Sequence, residues 1–448
     1  MGQAVSCPAV VPVPPEPLRP NIIGTWAYDT VGTRMVRILC VVIATFAADQ
    51  ESLAKEVGAF GRESMELIQS DLEALLESLT SNGFLTRLTG EADDVPSWNA
   101  VLDAACVDGV LPRWHDGDWL YVECFMYRKL YDILDSSGVI RDYDYFHPAK
   151  KESFEQSVAV ARDLAASLLE TVSGVAKLSK SQLRVSFMEF LLISLWGNKC
   201  DLTMGGMSMK TSPLAQLSEL AKYLLSDRHK DIFAYLHKLQ QSGKVTRIDF
   251  ICDNAGFELF SDLCLADFLS ASGLAQRITF HVKAFPWFVS DTTRCDVSWL
   301  LERLKGDAES GPLQELAARW RKQLATGHWE MAESPFWQSP FPFRMMRQEC
   351  PPLYWRLQGA DLLLSKGDLN YRKLIGNRPW PVNTPLCRAA EGFSPAPLAA
   401  LRVLKADCVA GIDIKRAKQA AELDPKWMTS GSFAVIQFCR HATVLDKI

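Results

Sequence analysis

The apolar residues of this chain change their period once, at about residue 244, and that change constrains the fold more than any other feature. Before it, apolar positions recur every three or four residues: Leu67, Ile68, Leu72, Leu75, Leu76 and Leu79 mark one face of Glu63 to Leu79, the pattern of an amphipathic helix. Residues 34 to 90, Trp119 to Leu134 and Phe154 to Trp196 read as helical blocks. Turn chemistry at Ser81-Asn82-Gly83, Asp142 to Pro148 and Gly205 to Ser212 separates them. After the change, Val245 to Cys252 is a short β-rich run, Phe257 to Ser270 is helical, and Ile278 to Phe285 is again strand-like. That succession is a parallel strand-helix-strand unit. Two more strand-like runs, Ala360 to Ser365 and Leu398 to Leu404, follow an aromatic-rich loop from Trp329 to Phe343. The expectation is an α/β sandwich preceded by a helical subdomain.

Charge and cysteine usage exclude several classes of function. A formal net charge of -5 over 448 residues offers no general attraction for nucleic-acid phosphates, so nucleic acid is not an expected partner. The twelve cysteines contain no CxxC pair, and Cys40, Cys252 and Cys264 sit in apolar runs, which fits reduced thiols in a cytoplasmic protein. Seven histidines without HxxxH spacing disfavour zinc. The apolar run Ile38 to Ala47 is about half of the ~20 residues a membrane span needs and reads as a buried helix segment. Met1-Gly2 through Ser6 fits the M-G-x-x-x-S/T pattern for N-myristoylation, with Cys7 placed for a second acyl chain. Prolines 8, 12, 14, 15, 17 and 20 give the alternative of a plain disordered tail. Acylation at Gly2 and Cys7 is the one route by which this chain would be membrane-anchored.

In parallel α/β sheets ligands bind beyond the carboxyl ends of the strands, so the residues just after each strand carry the functional reading. The first run delivers Asp253-Asn254-Ala255-Gly256 and the second Ser290-Asp291. A right-handed crossover lets Asp253 and Asp291 face one crevice, where two carboxylates and an amide oxygen form a hard site for Mg²⁺ or Mn²⁺. The alternative for Asp253 and Asn254 is helix capping. The third run delivers Lys366-Gly367-Asp368-Leu369-Asn370-Tyr371-Arg372-Lys373, a loop suited to cradling phosphate through Gly367 and through Lys366 or Arg372, and the last delivers Lys405. Glu258, one turn into the next helix, either acts on a ligand or complements the helix end, and the second is favoured.

Those residues resemble, in order, motifs of the metal-dependent damage-control phosphatases of subfamily III, whose animal members are also described as protein-glutamate (acidic residue) O-methyltransferases. The matching stretches include Phe125-Met126-Tyr127-Arg128, Leu195-Trp196-Gly197-Asn198-Lys199-Cys200-Asp201-Leu202, Asp253 to Leu259, Pro286 to Asp291, Lys366 to Leu374 and Pro397 to Lys405. The resemblance spans about residues 22 to 440. It implies a three-layer α/β/α sandwich with a largely parallel sheet and an N-terminal helical subdomain, divided as tail 1–22, helices 23–200 and a metal-binding catalytic domain 201–448. It implies a divalent metal (Mn, Co, Ni or Mg) on Asp253, Asn254 and Asp291, with Asp253 and Asp291 catalytic. Substrate contacts fall to Asp253, Asn254, Gly367, Asp368, Leu369, Asn370, Tyr371 and Lys405. Phosphorylated small metabolites, sugar phosphates such as fructose 1-phosphate or fructose 6-phosphate, are the implied substrates. For methyl transfer, Glu258 and Asp291 match positions that contact S-adenosylmethionine.

One position departs from the pattern: the family's Arg-Thr-x-Lys motif reads Arg402-Val403-Leu404-Lys405, and the missing hydroxyl removes a hydrogen bond worth ~0.5 to 1.5 kcal/mol. Three readings follow. The first is metal-assisted phosphoryl transfer, by direct attack of Asp253 or by attack of water. The second is methyl transfer, against which stands the lack of a glycine-rich GxGxG-type loop after a first strand. The third is a non-catalytic metal- and phosphate-binding protein.

Overall fold

A computed structural model describes residues 13–203 and 221–440. Its strands are β1 (Leu224–Asp227), β2 (Arg247–Ile251), β3 (Arg277–Val282), β4 (Trp329–Glu333), β5 (Leu362–Lys366), β6 (Leu398–Val403) and β7 (Ala434–Cys439). They form one seven-stranded sheet in the order β1-β7-β6-β5-β2-β3-β4. Neighbours pair in parallel except β6 and β7, which are antiparallel. Every residue of β5 and β6 is buried, as expected where helices cover both faces of a parallel sheet.

Side chains alternate across the strands and so divide into two cores. Ile251, Leu363, Leu398 and Ala400 join one core with Leu39, Leu72, Leu102 and Phe125 from the first helices. Ile248, Phe250, Leu362, Leu364, Ala399 and Leu401 join the other, with Leu164, Leu191, Phe260 and Trp320. Helices therefore lie on both faces, and the three-layer α/β/α reading holds. The N-terminal helices do not all stand in front of the sheet, because Val158–Gly174 and Lys180–Thr203 share the core of the helix Phe257–Ala271.

The four strands expected from sequence are present, each with slightly different ends. Three further strands, β1, β4 and β7, complete the sheet. The supposed loop at Trp329 opens with the edge strand β4, and β1 and β7 complete the opposite side. The proline-rich segment is also more ordered than a free tail over its described part: Leu18 N–H donates to Asn377 O (3.0 Å), Trp119 N–H donates to Leu18 O (2.9 Å), and Arg378 bonds Pro15 O. Gly2, Cys7 and the turn Gly205 to Ser212 lie outside the described residues.

The apolar run Ile38 to Ala47 belongs to a longer helical run than its composition suggests. Trp26–Val57 spans 32 residues and is, by length and composition, apolar enough to cross a membrane. Its inward side chains Val31, Met35, Leu39, Val42 and Phe46 are fully buried in the first core. Such a face also characterises a core helix packed on its neighbours.

Candidate functional site

The strand order sets the position of the crevice. From β2 the chain moves outward to β3 and β4, then returns to the other flank of β2 to lay down β5 and β6. The reversal lies between β2 and β5, where ligands of open α/β sheets bind at the strand ends. Asp253 emerges from β2 and Gly367 from β5. Gly367 has φ +83°, and a Cβ there would lie 1.9 Å from Asp253 Cγ and 2.0 Å from its Oδ2. No other residue permits the Asp253 carboxylate to rest against this backbone.

Asp253, Asn254 and Asp291 come together as expected. Asn254 and Asp291 form an isolated antiparallel bridge, Thr292 N–H donates to Asp253 O at 2.7 Å, and Ala255 N–H donates to Ser290 O at 2.7 Å. The loop that brings Asp291 in is backbone-strained, with Phe288 at φ 45° and Val289 at φ 70°. A β-branched residue at positive φ is held there only when surrounding contacts impose it. Asn254 Nδ2 donates to Asp253 Oδ2 (2.7 Å) and to Glu258 Oε2 (2.8 Å), while Ser290 Oγ donates to Asn254 Oδ1 (2.5 Å).

Three carboxylates thus crowd one buried wall: Asp253, Glu258 and Asp291 are 9%, 4% and 2% exposed. Burial pushes the Asp253 carboxyl well above the ordinary aspartate range, Glu258 and Asp291 push it further, and Lys405 and Lys283 only partly offset them. Asp291 is also raised, chiefly by burial, despite its ion pair with Lys283 at 3.0 Å. Negative charge is in excess here, which is the condition a bound cation relieves.

The opposite wall corrects part of the sequence reading. Lys366 does not face the crevice to cradle phosphate. Its ammonium is buried and donates to Ser194 O (2.8 Å), Glu258 Oε1 (3.1 Å) and Asp262 Oδ1 (2.7 Å). Lys366 is the last residue of β5, so the pleat turns it into the helical layer. Arg372 is likewise committed: it pairs with Glu123 (2.6 Å), bonds Asn377 (2.9 Å) and stacks on Trp119 at 3.8 Å.

Within the loop, Asn370 Nδ2 donates to Cys252 O and Lys366 O, tying β2 to β5. Leu369 is buried in the first core. The Tyr371 hydroxyl bonds Ala410 O and Gln437 Oε1, away from Asp253's carboxylate contacts. Asp368 positions the next element rather than presenting a free carboxylate. Its Oδ1 accepts from Arg402 Nε (2.7 Å) and Lys405 N–H (3.0 Å), and Arg402 also holds Cys408 O and Ala406 O. Burial raises the Asp368 carboxyl, but Arg402, Arg372 and the Lys405 N–H prevail and hold it below the usual range.

Lys405 is the cation left over. Among the described residues its ammonium makes no hydrogen bond or ion pair, it is partly exposed, and its charge acts on Asp253. Val403 packs in the second core with Ala399 and Leu401. Glu258 and Asp291, the implied S-adenosylmethionine contacts, are paired with Lys366 and Lys283. A cavity of about 180 Å³ opens beside this wall, lined by Lys150, Ser153, Asn254, Glu258, Val289 and Ser290.

A second acidic group, Asp144, His147 and Asp296, has ligand atoms within 4.8 Å of one another. Lys150 already bridges its two aspartates at 3.0 and 2.9 Å. An internal ammonium there takes the place a cation would fill.

A family model described as the damage-control phosphatase ARMT1-like domain matches residues 30–420. The chain belongs to this family. Proteins named damage-control phosphatase ARMT1 are 37% identical in Danio rerio over 436 residues, covering 95% of this chain and 97% of the relative. The Mus musculus relative is 38% identical over 426 residues (93% and 96%), and the Homo sapiens one 35% over 437 (95% and 99%). A crystal structure of a DUF89 family protein from Pyrococcus horikoshii aligns at TM-score 0.38 and 16% identity, over 90% of this chain and 98% of that one. At that score the likeness decides nothing. The part matched to the ARMT1-like domain contains both walls of the crevice. It also contains Lys283, which sequence reasoning passed over although its place just beyond β3 was a signal of the same kind that singled out Lys405.

Proposed function

We propose that the chain is a metal-dependent phosphatase of phosphorylated small metabolites, with sugar phosphates such as fructose 1-phosphate or fructose 6-phosphate as its substrate class. The observation that carries this reading is the pairing of an over-acidic wall with the Lys405 ammonium, which has no partner among the described residues, across a switch-point crevice. Membership of the damage-control phosphatase family supports it.

The residues fit a divalent ion. Asp253, Asn254 and Asp291 would hold it, offering hard oxygen donors suited to Mg²⁺, Mn²⁺, Co²⁺ or Ni²⁺. Asn254 now turns its nitrogen to Asp253 and Glu258; donation by its oxygen needs the amide exchanged, a choice that hydrogen bonding governs. When bound, such an ion supplies Lewis-acid polarisation of a phosphate oxygen. Lys405 would neutralise charge on the transferring phosphoryl group. Asp368 and Arg402 hold Lys405's backbone in register. Gly367 leaves the space in which Asp253 sits.

The test is a phosphatase screen of phosphorylated metabolites against Mn²⁺, Co²⁺, Ni²⁺ and Mg²⁺, with Asp253→Ala as control. Metal-dependent turnover that the substitution abolishes is expected. Turnover that survives Asp253→Ala would remove the site assignment.

A further inference from the structure

The strained loop that carries Asp291 is clamped at its root. Gln338 accepts from Ala284 N–H at its Oε1 and donates through Nε2 to Phe285 O, both at 2.8 Å. Ala284 and Phe285 follow β3 and lead into Pro286 to Asp291, the stretch in which Phe288 and Val289 hold positive φ. Gln338 is the last residue of a short 3₁₀ turn, Pro335–Gln338. Carbonyls at the end of a helical turn are left short of partners. Here those of Phe336, Trp337 and Ser339 converge on one ammonium, that of Lys373, at 3.0, 3.2 and 3.0 Å.

Lys373 belongs to the helix Asp368–Leu374, which begins directly after Gly367. The helix whose leading glycine backs Asp253 therefore also reaches, through the 336–339 turn and Gln338, the loop of Asp291. Lys373 and Gln338 are both 1% exposed. Among the described residues no carboxylate pairs with Lys373; its contacts are those backbone oxygens and the face of Phe336 at 5.1 Å. Burial brings its ammonium down to about 7. A charge buried without an opposite charge is a poor choice for stability alone. We propose that Lys373 and Gln338 form a brace that positions Asp291 against Asp253, which makes both of them positioning residues of the site.

In this brace Lys373 orients the turn, the turn orients the Gln338 amide, and the amide fixes a backbone donor and a backbone acceptor where the strained loop begins. Asn370 of the same helix donates to Cys252 O, beside Asp253, at 3.1 Å. Both aspartates are thereby referred to one helix. Lys283 acts differently, because it pairs with the Asp291 carboxylate itself, whereas the brace acts on the backbone that delivers it. The consequence for catalysis rests on the metal-dependent phosphatase reading above; the brace itself does not.

Hydrogen exchange by mass spectrometry on the full, metal-free chain reads the brace, and a Mn²⁺ titration followed by electron paramagnetic resonance reads its effect on the site. Gln338→Met removes both bonds to the loop and leaves Lys373 its carbonyls, so it carries the test even where Lys373→Met fails to fold. Amides of residues 284–291 should exchange about tenfold faster in Gln338→Met, with those of β6 unchanged. Mn²⁺ affinity should fall about 10- to 100-fold, the usual cost of removing a group behind a metal ligand. With fructose 1-phosphate at saturating Mn²⁺, kcat should fall while KM stays, since Lys405 is untouched. Lys373→Met should repeat this pattern, and the double variant should be no worse than the worse single one, because either change breaks the same brace. Exchange of residues 284–291 within about twofold of the wild type overturns the proposal. So does faster exchange with Mn²⁺ affinity unchanged, or effects that add in the double variant. A wild type that neither binds Mn²⁺ nor hydrolyses phosphate esters removes the proposed function instead, and the exchange rates then decide the brace alone.

Discussion

The β5–β6 side of the crevice carries five cations near its strand ends: Lys366, Arg372 and Arg402 are buried in ion pairs, and Lys373 is buried and donates to the carbonyls of Phe336, Trp337 and Ser339. The β2–β3 side carries Asp253, Glu258 and Asp291, and its pairings with Lys283 and Lys366 leave Asp253 under raised negative potential. One wall is almost neutralised and, among the described residues, leaves only the Lys405 ammonium without a partner; the other stays over-acidic. The difference shows that a charge at a strand end marks a site only when the fold leaves it without a partner. Buried ion pairs position the walls, and the unmatched groups are available for chemistry.

The comparison breaks most completely if the two walls are forced apart. Gly367→Ala puts a Cβ into the Asp253 carboxylate, so turnover should fall on the order of 10³-fold, since a displacement of about 1 Å already costs ~10²-fold. Steady-state kinetics on folded protein checks it. Lys366→Met leaves Glu258 and Asp262 without their shared cation, and unfolding by urea should show a loss of about 3 to 5 kcal/mol. If Lys366 served phosphate instead, stability would change little and KM would rise. Lys405→Met should lower kcat/KM about 10²-fold with the melting temperature nearly unchanged, because its ammonium has no partner among the described residues. The smallest effect belongs to Val403→Thr: a hydroxyl among Ala399 and Leu401 should cost about 1 kcal/mol of stability. Turnover should stay within about a factor of three, below the worth of one hydrogen bond to phosphate.

Much of this was readable in the sequence, and the exceptions have physical causes. β2, β3, β5 and β6 announce themselves because strands covered on both faces are short, nearly continuous apolar runs. β4 reads Trp-Glu-Met-Ala-Glu, an edge strand with both glutamates exposed, and its aromatic surroundings suggested a loop. β7 has the apolar run of a buried strand, but its antiparallel pairing to β6 breaks the repeating strand-helix pattern. Asp253, Asn254 and Asp291 were legible because residues after a strand have few places to go except the crevice. Lys366 and Lys405 look alike in sequence, yet one ends its strand facing the helical layer and the other lies beyond its strand. Telling them apart requires register and the partners Ser194 and Asp262, which come from distant parts of the chain. Val403 likewise shows its apolar surroundings only once β6 is placed.

The central claim is that the β2–β3 wall is over-acidic for want of a cation, and thermal denaturation of metal-stripped protein with and without Mn²⁺ tests it most directly. A folded carboxyl raised above its unfolded range contributes stability that is present below the unfolded pKa and lost as pH rises through the folded one. Without metal at neutral pH, Asp253→Asn should therefore melt above the wild type. Adding Mn²⁺ should raise the wild-type midpoint and leave that of the variant unmoved. Equal shifts in both proteins, or a metal-free variant that melts lower than the wild type, would contradict the account.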